Sequence, residues 1–155
     1  MTASVENVRP IKDMEEDYLQ QCQRYQSKVD CGVVVLSRFY NEIKSYKPSI
    51  ILTDNDLIPI VNVLIKYEIV GITCYNFSNC QLTSNGIYLL YDLCMKYKDY
   101  IEKLELRNNS LGDEGAFVLA KILVIPSSKL KFLGLHWNKC VCVYYLKQTI
   151  YKREK

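Results

Sequence analysis

An apolar pattern recurs in this chain at one fixed spacing, and this repeat limits the fold more than any other sequence feature. The clearest copy is Ile101-x-x-Leu104-x-Leu106-x-x-Asn109-x-Leu111. The same pattern recurs over 72–82 and over 130–140, so the three copies begin at the evenly spaced positions 72, 101 and 130. A weaker copy, Ile50-x-Leu52-x-x-Asn55-x-Leu57, lies upstream at a slightly shorter interval, with Asn55 matching Cys80. Copies in one register predict a stack of similar units rather than a single globular core.

Each copy begins with a pattern that predicts a short strand and a turn. Leu104 and Leu106 alternate with Glu105, so a strand would place both leucines in a core and the glutamate on the opposite face. Asn109 stands where the strand must turn, and its amide can hydrogen-bond the loop backbone and the neighbouring copy. Cys80 takes this place in the earlier copy, where its thiol is a weaker substitute.

A helix is predicted after each turn. Asp113 is the expected N-cap of one helix, and Thr83 or Ser84 is the expected cap in the copy before it. Pro126 is expected to end the later helix before the next strand. Apolar residues follow Asp113 at helical spacing: Ala116, Leu119, Ala120 and Leu123.

Strand, turn and helix repeating at this spacing resemble the leucine-rich-repeat family. The segment 104–123, LELRNNSLGDEGAFVLAKIL, is similar to the ribonuclease-inhibitor-like subtype, and the resemblance covers residues 47–140, most strongly 72–140. It implies an α/β fold: a short solenoid with parallel strands on the concave face and helices on the convex face. It implies little about function, because members of the family share only a scaffold.

The two ends of the chain depart from the repeat. Residues 1–46 are predicted to form a mostly helical N-terminal cap, with residues 1 to about 10 disordered. Two helices are expected there, one around Met14 and Cys22 and a more apolar one over Val33–Ile43. Residues 141–155 leave the register, so they form either an irregular cap or the truncated end of a longer array. An uncovered edge at that end would favour self-association.

Charge gives no indication of nucleic-acid binding. The formal charge of +3 comes from 20 basic and 17 acidic residues. Lys147, Lys152, Arg153 and Lys155 against Glu154 supply all of it, so the charges over 1–146 are balanced. A domain that meets phosphates usually carries a basic face, and no such stripe is visible. Nucleic acid is therefore not an expected partner.

Hydropathy predicts a cytoplasmic protein. No apolar run approaches the roughly 20 residues that a membrane helix needs, and the first residues lack the apolar segment of a secretory signal. We expect no membrane association and a cytoplasmic location, with nuclear and ciliary locations as alternatives. In such a reducing compartment the seven cysteines should be thiols.

The sequence predicts neither a metal nor a cofactor. The chain has one histidine, His136, which lies near Cys140 and Cys142. A structural zinc site needs four ligands, and the fourth has no obvious source.

The outward positions of the predicted strands form the candidate partner-binding surface. In the two later copies they are Glu105, Arg107 and Asn108, then Gly134, His136 and Trp137, and all but the glycine are candidate contact residues. Tryptophan and arginine are the residue types most often found at interface hot spots, so Trp137 and Arg107 are the leading candidates. Two alternatives stay open: Trp137 packs on the adjacent tail, or Glu105 and Arg107 form an ordinary surface pair of little energetic value.

These features favour a non-catalytic protein–protein interaction scaffold. The sequence has no nucleophile elbow, Gly-rich phosphate loop or metal motif, so no catalytic residue and no enzyme activity are predicted. Two alternatives follow from the resemblance. One is a regulator of an enzyme, because related repeats include ribonuclease inhibitors and GTPase-activating proteins for Ran. The other is a structural subunit of a larger cytoskeletal or ciliary assembly.

Overall fold

The computed structural model describes residues 11–139, with side chains from Asp13 onward. This range forms five helices and four strands, and strands alternate with helices after the first two helices. The elements are α1 (Ile11–Tyr25), α2 (Cys31–Phe39), β1 (Ser45–Tyr46), α3 (Asp54–Lys66), β2 (Cys74–Asn76), α4 (Ser84–Lys96), β3 (Lys103–Glu105), α5 (Gly112–Leu123) and β4 (Phe132–Gly134). The predicted α/β class is confirmed. The predicted disordered start and the predicted tail over 141–155 lie outside the described residues.

The four strands form one parallel sheet in the order β1-β2-β3-β4. Ser45 pairs with Cys74, Cys74 with Lys103, and Lys103 with Phe132, so the paired positions are evenly spaced along the chain. This confirms the spacing predicted for the three later copies. Adjacent parallel strands need a crossover connection, and a helix supplies it in each copy.

The predicted register of the first copy was wrong. The strand that pairs with β2 is Ser45–Tyr46, not the segment that begins at Ile50, so the first copy keeps the spacing of the others. Asn55, predicted to occupy the turn, is an exposed residue of α3. The correct register places Pro48 where the later copies have Phe77 and Leu106. Proline has no N–H for a ladder, so it hides the strand signal and the strand ends early.

The Asn109 turn and one of the two predicted helix starts follow the sequence. Buried Asn109 accepts a hydrogen bond from Leu82 N at 3.0 Å and donates to Phe77 O at 2.9 Å, so it joins two copies as predicted. Thr83 is the N-cap of α4, and its hydroxyl accepts from Asn85 N. The predicted N-cap of α5 was wrong: the helix begins at Gly112 with Leu111 at the cap position, and Asp113 lies in the first turn, where a carboxylate complements the helix dipole.

One apolar core runs between the strands and the helices. It contains inward strand residues such as Tyr75 and Leu104 together with helix residues such as Leu64, Leu90 and Leu119. At the N-terminal end, α1 packs against α2 and α3. Asp30 links these helices to the sheet, because its buried carboxylate accepts hydrogen bonds from the Tyr46 hydroxyl and from Ser49 N at 2.8 Å.

The helices are short or amphipathic. Within residues 11–139 none has both the length and the apolarity that a membrane-spanning helix requires.

Candidate functional site

Among residues 11–139 the helices pack against only one side of the sheet. Tyr46, Tyr75 and Leu104 point into the core, so the residues on either side of each point the other way. We call this side, with the turn residue after each strand, the strand face. It comprises Ser45, Lys47, Cys74, Asn76, Ser78, Asn79, Lys103, Glu105, Arg107, Asn108, Phe132, Gly134, His136 and Trp137.

The structure brings all five predicted site residues to neighbouring places at one end of this face. Asn108 N donates a hydrogen bond of 2.8 Å to His136 O, which fixes the two turns side by side. Arg107 is thereby set beside His136, and Asn108 beside Trp137. Adjacent parallel strands lie about 4.8 Å apart, so side chains of the two copies can contact one ligand together.

Glu105 was predicted to be an exposed contact residue, and the structure contradicts this. Its position does face away from the apolar core, but the residue is only 2% exposed. The carboxylate lies between two cations: Lys103 Nζ is 3.0 Å from Oε1, and Arg107 Nε is 3.1 Å from Oε2. Glu105 is therefore a buried anion that holds two neighbouring side chains, not a surface that a partner can contact.

Gly134 explains how a glutamate can be buried on this face. It pairs with Glu105 across the sheet and leaves room for the carboxylate. A Cβ on residue 134 would overlap Glu105 Oε2, far inside the van der Waals distance. The absence of a side chain at this position is thus what admits the Glu105 carboxylate.

The cations beside Glu105 remain accessible. The Arg107 side chain is 46% exposed and meets Glu105 through Nε, the guanidinium nitrogen nearest the backbone. The Lys103 side chain is 44% exposed, and its Nζ also lies 4.6 Å from the centroid of the Phe132 ring. Phe132 is itself a partly exposed aromatic residue on the strand face. The anion of this cluster is hidden while its two cations reach solvent.

A second feature is a row of left-handed turn residues at the end of the strands. Asn79, Asn108 and Trp137 occupy equivalent positions in successive copies and have φ values of 59°, 54° and 59°. Asparagine tolerates this conformation well, and the two asparagines are joined by a 2.9 Å hydrogen bond from Asn108 Nδ2 to Asn79 Oδ1. Tryptophan is bulky, so its presence there is unusual.

Trp137 is 79% exposed, the largest value among the exposed large hydrophobic residues of the described chain. The alternative in which Trp137 packs on the tail over 141–155 concerns residues outside the described range, and residues 11–139 leave most of the side chain uncovered. The ring therefore stands in solvent on a backbone conformation that a tryptophan rarely adopts. His136 is exposed as well, and the contact that places it is made by its backbone carbonyl.

Lys103 and Phe132 are site residues that the sequence analysis missed. Each lies two positions before a residue that the prediction placed on the same side of its strand: Lys103 before Glu105, and Phe132 before Gly134. Continuing the alternation two residues further toward the start of each strand would have identified both of them. The mutual arrangement of Lys103, Glu105 and Arg107 has no such signal, because alternation gives the side of the sheet and not the contacts made there.

The described part of the chain offers no group that would hold a metal. Among residues 11–139 no cluster of three or more His, Cys, Asp or Glu side chains has a suitable arrangement. Cys140 and Cys142, considered with His136, lie outside the described residues.

No protein-family model matches the chain, and no curated protein matches it. Inference about function therefore depends on the geometry and chemistry of the strand face.

Proposed function

We propose that this chain is a non-catalytic protein-interaction scaffold, built as a short leucine-rich-repeat solenoid, and that its strand face binds another protein. Trp137 carries the proposal. The residue is 79% exposed on a left-handed backbone, in the turn after β4 and beside the turn that holds Arg107. A large ring kept in water has no role in the core, whereas buried tryptophan and arginine are the commonest anchors of protein interfaces.

The regular spacing of the sheet supports the solenoid part of the proposal. The parallel strands pair at one constant interval along the chain, as stacked repeats require. Asn109 supports it further, since one buried amide ties the turn of its own copy to the backbone of the copy before.

The cysteines support a cytoplasmic location as part of the same proposal. The described thiols are free: Cys22, Cys31, Cys74, Cys80 and Cys94. Free thiols suit the reducing conditions of the cytoplasm.

The proposal is tested by quantitative affinity purification with three forms of the full chain. One is the wild type, and the second carries Trp137→Ala and Arg107→Glu. The third is a matched control on α5, Phe117→Ala with Lys121→Glu, which changes an exposed aromatic ring and a cation 4.8 Å from its centroid on a different surface. We expect a set of partners that the wild type and the control recover and the strand-face variant loses.

Equal recovery of every partner by all three forms would overturn the proposal for this face. Circular dichroism melting curves of the three forms ensure that the comparison is made between folded proteins.

A further inference from the structure

Resting on the proposed function, we infer the chemical class of the partner: an acidic peptide segment that places a carboxylate on Arg107 and a bulky apolar side chain on Trp137. Three independent observations support this: the distribution of charge on the strand face, the orientation of Arg107, and the backbone conformation of Trp137.

The strand face presents positive charge only. Its exposed ionised side chains are those of Lys47, Lys103 and Arg107. Its one acid, Glu105, is buried and already contacts two of these cations. A partner that approaches the face therefore meets cations and no accessible carboxylate, which favours acidic segments and repels basic ones.

Arg107 is held in a position suited to a carboxylate. Its Nε lies 3.1 Å from Glu105 Oε2 in an ion pair that lacks hydrogen-bond geometry, and within residues 11–139 no other acidic side chain lies in ion-pair contact with it. The terminal nitrogens of a guanidinium bind a carboxylate in a planar, two-point arrangement. Because the ion pair with Glu105 keeps the guanidinium near the sheet, less side-chain freedom is lost when its terminal nitrogens bind a ligand.

Trp137 supplies the apolar half of the site. The register of the sheet places Trp137 at the position equivalent to Asn108, and both residues have left-handed backbones. Each directly follows the paired residues Arg107 and His136. The corresponding turns of adjacent copies are separated by about the 4.8 Å spacing of strands. A carboxylate and an apolar side chain only one or two residues apart in an extended peptide can therefore reach both groups.

Single-stranded nucleic acid also uses cations and an aromatic ring, but the strand face suits it less well. Nucleic-acid grooves track the backbone with a continuous run of basic residues. Between Arg107 and the first copy the face carries uncharged Ser78, Asn76 and Cys74. We therefore favour the acidic peptide and treat nucleic acid as an outcome of the test.

The test is selection of a phage-displayed library of random 12-residue peptides on the full chain, immobilised in turn as wild type and variants. We expect the wild type to enrich peptides in which Asp or Glu stands within two residues of Leu, Ile, Phe or Trp. A selected peptide, synthesised with a fluorescent label, should bind the Arg107→Gln variant roughly tenfold to a hundredfold more weakly. Binding to the control Phe117→Ala with Lys121→Glu should be unchanged.

Charge reversal separates recognition from mere loss of structure. The Arg107→Glu variant should no longer enrich acidic peptides and should favour peptides with Lys or Arg, because the accessible charge at that point has changed sign. A variant that had only unfolded would show no new preference. The Trp137→Ala variant should keep the preference for acid and lose the preference for the apolar residue.

Several results would overturn the inference. Neutral or basic peptides selected by the wild type and lost with Trp137→Ala would reject the acidic partner while leaving the proposed function intact. Displacement of the selected peptide by a 20-residue oligothymidine at lower concentration than by the unlabelled peptide would indicate a nucleic-acid surface. If no peptide is enriched and no cellular partner depends on the face, both the inference and the proposed function fail.

Discussion

The Glu105 carboxylate occupies the space that a side chain on Gly134 would fill. The two residues pair across β3 and β4, and a Cβ on residue 134 would overlap Oε2 of the glutamate. Glu105 in turn lies between Lys103 and Arg107. The absence of a side chain at position 134 in β4 thus determines how a buried anion and two accessible cations are arranged on the strand face.

Gly134→Ala should destabilise the chain by about 1–3 kcal/mol, the usual cost of overpacking a filled site. Adding Glu105→Ala to this variant removes the atoms that clash. The double variant should therefore lose less stability than the two single changes add up to. Urea unfolding of the wild type, both single variants and the double variant measures this coupling, and strictly additive losses would contradict the proposed contact.

Among the turn residues, Asn109 should contribute most to the free energy of unfolding. Its amide serves Leu82 N and Phe77 O in the preceding copy and Leu106 O in its own. Alanine would remove the side-chain partner of Leu82 N and Phe77 O, whereas Leu106 O would keep its 2.7 Å hydrogen bond from Asn138 Nδ2. Asn109→Ala should therefore lower the free energy of unfolding by about 2–4 kcal/mol.

Cys80→Ala is the matched control for Asn109→Ala. It alters the equivalent turn, where the thiol makes a long contact of 3.8 Å to Ser78 O. A sulfur contact of that length contributes little, so the control should lose clearly less stability in the same urea experiment. Equal losses from the two substitutions would show that the asparagine amide is not what holds the copies together.

The buried Tyr75 hydroxyl is a polar group that the core does not satisfy. Tyr75 is fully buried, and its hydroxyl has no hydrogen-bond partner among the described residues. Burial raises the pKa of this phenol well above its usual value, so the group stays neutral. Tyr75→Phe removes the unsatisfied oxygen while keeping the ring, and should stabilise the chain by about 1 kcal/mol.

Tyr97 offers the opposite case in the same core. It is also buried, but its hydroxyl donates a 2.6 Å hydrogen bond to Leu64 O. Tyr97→Phe should therefore destabilise the chain by about 1 kcal/mol. Thermal unfolding of both variants measures the contrast, and a fall in melting temperature for Tyr75→Phe would show that its hydroxyl has a partner after all.

The strands of the later copies could be predicted because their core residues keep one spacing. Ile101, Leu104 and Leu106 have apolar counterparts at the equivalent positions of both neighbouring copies. β1 could not be found this way. Pro48 stands at the position equivalent to the core residues Phe77 and Leu106, so the apolar pattern is interrupted there. The nearest apolar match is then Leu52, which lies at a different position of the repeat in the structure.

The sequence predicts most of the residues that form the site, but it does not predict what each of them does there. Alternation correctly places Glu105 and Arg107 on the side away from the core. It cannot show that Glu105 is buried, because that burial depends on the size of the residue at position 134 in the next copy. Side-chain contacts between copies follow from the register of the sheet, which a single pattern of apolar residues does not contain.

Asp56 should make stability depend on pH in the acid range. Burial raises its pKa, but hydrogen bonds from Lys28 N at 2.7 Å and from Thr53 N at 2.8 Å outweigh this, so the net pKa is lowered. A carboxyl whose folded pKa lies below its unfolded value stabilises the fold above the unfolded value, about 4. This contribution is lost as the pH falls through the folded pKa.

Asp56→Asn should remove this dependence, so the stability difference between wild type and variant should shrink from pH 6 to pH 3. Asp99→Asn, an exposed acid on the turn before β3, serves as the control and should follow the wild type. Urea unfolding at four pH values provides the measurement. Parallel curves for wild type and Asp56→Asn would contradict the assigned hydrogen bonds.

Trp137 should lower the stability of the fold while it strengthens binding of the partner. Its φ of 59° costs a bulky residue about 1–3 kcal/mol, whereas asparagine adopts this conformation readily at positions 79 and 108. Trp137→Asn should therefore raise the free energy of unfolding by about 1 kcal/mol and abolish partner binding. Trp137→Ala removes the ring without supplying a residue that favours the conformation, so it should lose binding with little gain in stability. Urea unfolding and peptide binding measured on the same preparations test both halves. If Trp137→Asn is less stable than the wild type, the ring contributes packing, and its role as an exposed anchor is wrong.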